Sequence, residues 1–92
     1  ASTQTMISEV SVPLMGTGAT PQYHIQVYVE GTVGTVYDSL LQTAPGVLTT
    51  FSILAPSLSA QPTGGKHFIV VVQSFIDVGE AILVGRPLVT QQ

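Results

Sequence analysis

The segment Tyr23-His24-Ile25-Gln26-Val27-Tyr28-Val29-Glu30 decides the fold class. Tyr23, Ile25, Val27 and Val29 alternate with His24, Gln26, Tyr28 and Glu30. A period of two puts the first set on one face of a β-strand and the second set on the other. Working outward, Met6 to Leu14 repeats the pattern, with Val10, Val12 and Leu14 inward and Glu9 and Ser11 outward. Pro13 lies late in that run, which predicts an edge strand or a strand end, because proline cannot donate to a ladder. Thr49, Phe51 and Ile53 alternate with Thr50 and Ser52. The stretch His67 to Ile76 is apolar on both faces in its middle and predicts a central strand, covered by the other sheet on one side and by a loop or a partner subunit on the other. Ala81 to Val84 predicts a last short strand, closed by Arg86-Pro87. Val33 to Gln42 predicts a less regular strand with a bulge.

Glycines and prolines punctuate the chain at short intervals, and no dozen residues free of them carry a helical stripe. Residues 1–92 are therefore expected to form one all-β domain, an antiparallel sandwich of about seven strands. Short polar arms flank it, Ala1 to Thr5 and Val89 to Gln92.

Composition narrows the function. The 92 residues are 45% hydrophobic, enough for one core, yet only 8% are charged, against about 25% in an ordinary soluble domain. Threonine, serine, glutamine and glycine must cover the exterior, and a weakly charged surface associates readily. Lys66 and Arg86 are the only strong cations against five acids. Two cations cannot track a phosphate backbone, so no nucleic-acid partner is expected. No polybasic segment addresses an anionic membrane. The longest strictly hydrophobic run, Phe68 to Val72, is far short of a membrane span. With no cysteine, disulfides and thiolate metal sites are excluded.

No catalytic constellation stands out. Serines are numerous, but none sits in a Gly-x-Ser-x-Gly elbow, and His24 and His67 are the only histidine bases. His24 is separated from Glu30 by too much strand to share a metal with it, so an exposed strand histidine is expected. Asp77 and Glu80 in one turn, with Asp38 or Glu30 elsewhere, offer fewer oxygens than calcium loops carry. No enzyme activity, metal or cofactor is expected. The better functional signal is leftover apolar and aromatic groups: Tyr28 and Tyr37, Leu14-Met15 and Leu40-Leu41. If exposed together they mark an interface, where tyrosine and methionine are enriched.

Three stretches resemble the immunoglobulin-like sandwiches of bacterial surface proteins and phage structural proteins. They are Val27-Tyr28-Val29-Glu30-Gly31 with Val33-Gly34-Thr35-Val36; Leu48-Thr49-Thr50-Phe51-Ser52-Ile53 with Ala55-Pro56-Ser57-Leu58-Ser59-Ala60; and Gly65-Lys66-His67-Phe68-Ile69-Val70-Val71-Val72. The family's loop is lengthened here by Gln61-Pro62-Thr63-Gly64, and Asp77-Val78-Gly79-Glu80 departs from its usual turn before the last strand. The resemblance implies an immunoglobulin-like strand arrangement, a corner hydrogen bond at His67, and work in adhesion, spacing or decoration with no shared activity. The expected function is a non-enzymatic assembly protein, such as a phage head or tail decoration protein or an extracellular filament subunit. It would act on a virion or an extracellular surface, pairing edge strands or terminal arms with itself or a larger lattice. The alternative is an adhesive or carbohydrate-binding module using Tyr28 and Tyr37.

Overall fold

In a computed structural model that describes residues 6–62 and 66–91, the two most regular alternating segments become the middle strands of two sheets. β1 (Ile7–Thr17) is flanked by β5 (Thr49–Leu54) on one side, and by β7 (Ala81–Val84) and β8 (Leu88–Gln91) end to end on the other. β2 (Gln22–Val29) is flanked by β6 (Phe68–Phe75) along its whole length, and by the two-residue strands β3 (Tyr37–Asp38) and β4 (Gln42–Thr43) on the other side. All pairings are antiparallel, and the two sheets pack face to face as an all-β sandwich. Val10, Val12 and Leu14 from β1 meet Tyr23, Ile25, Val27 and Val29 from β2, all of them buried.

Several expectations about neighbours are corrected. Among the described residues β6 is an edge strand, paired only with β2, although its apolar sequence suits a central one. Conversely, β1 is central despite Pro13. The carbonyl of Pro13 accepts the N–H of Gly85 at 2.8 Å. In an antiparallel strand the N–H and C=O of one residue point the same way, so the missing donor faces the β7/β8 side. There the neighbouring strand is itself broken at Gly85–Pro87, and the proline ring fills the gap: a Cβ on Gly85 would lie 2.8 Å from Pro13 Cγ. The Leu88–Gln91 segment is no free arm but a strand of its own sheet, paired with Ile7–Ser11. The stretch from Val33 to Gln42 forms two short bridges separated by Ser39–Leu41 rather than one bulged strand. Among the described residues the first strand, β1, lies in the centre of its sheet. The Ala1–Thr5 arm lies outside the described residues.

A bulge near Ser8 switches the parity of β1, because Ile7 pairs with Gln91 while Glu9 pairs with Thr90. Ile7 can thus be buried in phase with Val10, three residues later. The side-chain amide of Gln61 completes that end, standing in for the backbone of a neighbouring strand. Its Oε1 accepts the N–H of Ile7 at 2.9 Å and its Nε2 donates to the Ile7 carbonyl at 3.0 Å.

The core is lopsided. Phe51 of β5 meets Tyr23 and Tyr37 edge-to-face at 6.2 and 6.4 Å, so β5 stacks over the β3/β4 flank and β6 over the β7/β8 flank. Val36, Ala44 and Ile53 are buried on the first flank. On the second, no residue of β6, β7 or β8 is fully buried. Phe68, Val70, Val72, Ile82 and Val89 only partly cover the core. The radius of gyration is 14.5 Å, above the roughly 12 Å of a compact globule of this length.

Candidate assembly surface

Among the described residues, the open flank presents a strand edge whose outward backbone groups have no partner. The N–H of Glu30 donates to the carbonyl of His67 at 2.9 Å, which makes 30:67 a hydrogen-bonded pair. Alternation along the ladder makes 28:69, 26:71, 24:73 and 22:75 bonded pairs as well. On the other side of β2, the carbonyls of Ile25 and Val27 accept from Ser39 and Val36, as that alternation requires. The N–H and C=O groups of Phe68, Val70, Val72 and Ser74 therefore point away from β2, toward the open edge. No charge, proline or bulge interrupts Phe68–Phe75.

The remaining edges differ. The β3/β4 edge is broken by Ser39–Leu41, and the β7/β8 edge by Gly85–Pro87. The β5 edge spans six residues, half of them Thr or Ser, with Pro56 two residues beyond it. Short strands, breaks and prolines are the means by which sheet edges avoid pairing with other chains. β6 carries none of them.

Beside this edge lies the outer face of the β2 sheet, where the register sets Tyr28 beside Ile69, Gln26 beside Val71, His24 beside Gln73 and Gln22 beside Phe75. A polar chain crosses it. Tyr28 Oη donates to Gln26 Oε1 at 2.9 Å, and Gln26 Nε2 donates to Asp38 Oδ2 at 3.0 Å. Asp38 Oδ1 accepts the N–H of Leu40 at 2.9 Å. The bonds from Gln26 and then from Leu40 hold the Asp38 carboxyl below its ordinary range. His24 packs edge-to-face on Phe75 at 5.1 Å, and its Nε2 is buried without a partner. At the far end a shallow recess of about 400 Å³ is lined by Tyr28, Val29, Glu30, His67 and Ile69. The backbone N–H of His67 donates to Glu30 Oε1 at 3.0 Å, with the imidazole Nδ1 3.4 Å from the same oxygen. That backbone bond, foremost, lowers the Glu30 pKa. No family model matches this chain, and no match was found among the curated proteins or the solved structures.

The six residues expected to mark an interface are dispersed. Tyr28 lies on the outer face of the β2 sheet, half-buried. Tyr37 pairs with buried Val27 and therefore turns inward onto Phe51, which corrects its expected outward placement. Leu14 is 1% exposed and belongs to the core, in phase with Val10 and Val12. Met15 lies on the outer face of the other sheet beside exposed Leu83. Leu40 and Leu41 both project from the break between β3 and β4. Leu40 does so with a φ of 60°, in the left-handed region that a leucine enters only under strain. Sequence reasoning passed over Ile69, Val71 and Phe75, all exposed on β6. Their signal is present in the sequence, since an apolar run on both faces requires two covers, but the same pattern fits a central strand as well as an edge strand met by a partner.

The acids do not converge. Glu80 accepts the N–H of Asp77 at 2.8 Å and of Thr20 at 2.7 Å, tying two sheet-to-sheet connections together. Among the described residues no three His, Cys, Asp or Glu side chains group as metal ligands.

Proposed function

We propose that this chain is a non-enzymatic structural subunit that assembles with copies of itself or onto a larger lattice. A virion decoration protein or an extracellular filament subunit is the kind of object meant. One observation carries the reading: β6 has the sequence of a strand covered on both faces, yet its edge is bare and its outer residues Ile69, Val71 and Phe75 are exposed. A continuous, uncharged and mostly apolar edge on a nearly uncharged exterior is a standing template for another chain. The strained, exposed Leu40 and its neighbour Leu41 are further apolar contacts suited to a neighbour. The carbohydrate-binding alternative loses support, because Tyr37 is turned into the core and the Tyr28 hydroxyl is tied to Gln26.

Light scattering coupled to size exclusion, across about 1 μM to about 1 mM chain, tests the reading. The expected result is a mass that rises with concentration. A monomer throughout that range, with no lattice protein retained from the source particle, would count against assembly.

A further inference from the structure

We infer that the occupant of the bare edge is a second copy of β6, paired antiparallel about a two-fold axis through Val71. This rests on the assembly reading and specifies its geometry. Antiparallel pairing of a strand with itself sets residue i opposite residue j with i + j constant. The free backbone groups lie at Phe68, Val70, Val72 and Ser74, and hydrogen-bonded pairs must be made among these. One register uses all four: Phe68 opposite Ser74 and Val70 opposite Val72, twice over by symmetry. Each such pair exchanges two bonds, on the order of eight in all. Neighbouring registers leave at least one of the four without a partner on β6.

The side chains favour the same register. On the inner face, Phe68, Val70 and Val72 gain cover that they lack in the single chain. On the outer face, Val71 meets Val71 and Ile69 meets Gln73. Beyond the paired residues, Lys66 of one copy comes opposite Ile76 of the other, one residue from Asp77. Opposite charges thus flank the strand, and the two-fold brings them together at both ends. No like-charged residues oppose one another along β6.

The contact is modest in size. Eight residues at about 3.4 Å each form a strip about 27 Å long. With a depth equal to the molecule's least extent, 18 Å, it covers about 1,000 Å² over both copies, the lower limit for a specific interface. The expected dimer is reversible, and a second contact would be needed to lock it into a lattice.

Val71→Cys tests the register in a chain that has no other cysteine. Directly opposed residues of a non-hydrogen-bonded antiparallel pair have Cα atoms about 4.5 Å apart, within disulfide range. Mild oxidation is expected to give a covalent dimer, while Leu83→Cys, exposed on the other sheet, stays largely uncross-linked. Val71→Lys places two ammonium groups opposite each other and is expected to weaken self-association by about tenfold or more, with the circular dichroism of the monomer unchanged. Leu83→Lys is its control. Self-association that persists in Val71→Lys, with no cross-link in the oxidised Val71→Cys variant, overturns the β6 two-fold and leaves the assembly reading standing. A wild-type chain that never self-associates and finds no lattice partner removes both.

Discussion

Leu40→Gly is the substitution whose outcome separates folding from function most sharply. Leu40 has a φ of 60°, and the left-handed conformation costs a residue with a Cβ about 1–2 kcal/mol. Its side chain is 71% exposed, so removing it forfeits little burial. Glycine loses more backbone entropy on folding, a cost of roughly 0.5–1 kcal/mol. The difference favours the variant by about 0.5–1 kcal/mol. At roughly 4–8 °C per kcal/mol for a domain of this size, the melting temperature of the monomer should rise by a few degrees. Leu40→Ala keeps the Cβ and the strain, and should melt close to the wild type. Leu40→Asn, which tolerates the conformation, should gain without the glycine penalty. Thermal and urea unfolding of dilute protein measure all three. If the glycine variant is less stable than the alanine variant, the reasoning fails, because relief of the left-handed strain at this position would then gain nothing. If it is more stable while assembly weakens, a strained, exposed leucine is kept for a neighbour.

Other outcomes follow from particular contacts. Gly16→Ala would place a Cβ 2.5 Å from Pro21 Cγ and 2.8 Å from Ala44 Cβ, where the β1–β2 and β4–β5 connections close on each other. Overpacking of about 1–3 kcal/mol is expected by urea unfolding, whereas Gly46→Ala, with nothing within 4 Å, should be near neutral. Glu80 is held below its ordinary 4.5 by the N–H groups of Asp77 and then Thr20. A folded-state value below the unfolded one contributes stability in full above the unfolded value, and loses it as pH falls through the folded value. The wild type should therefore exceed Glu80→Gln in urea midpoint at neutral pH, with the gap closing below about pH 4.5; a constant gap refutes the linkage. Gln61→Ala removes both bonds to Ile7 and should speed amide exchange at the start of β1, with a stability loss of about 1–2 kcal/mol. An unchanged exchange rate at Ile7 would show that the glutamine does not act as a strand substitute.

β6 also shows how one feature serves opposite ends. An edge that invites pairing is a hazard in a monomer; here the sandwich breaks two edges, stops the β5 edge at six residues with Pro56 just beyond, and leaves the eight residues of β6 continuous. The flank beneath it is the one on which no side chain is fully buried. Covering it from outside would complete both the ladder and the core, so assembly and stability of the subunit are expected to be coupled.

What the residues alone determined is the class of structure and the facing of its best strands. Alternation in Tyr23–Glu30, in Val10–Leu14 and in Thr49–Ile53 states which side chains go inward, because a strand has a period of two whatever its neighbours are. The same pattern placed Leu14 inside, in phase with Val12, even though its neighbour Met15 suggested a surface pair. Charge content likewise needed no coordinates. Tertiary structure alone decided who stands next to whom. An apolar run such as Phe68–Val72 looks identical whether a second strand or another molecule covers its free side, since pairing is a non-local choice. Pro13 could occupy a central strand only because a segment some seventy residues away breaks at Gly85–Pro87. The facing of Tyr37 depended on its register opposite Val27, which no local pattern encodes.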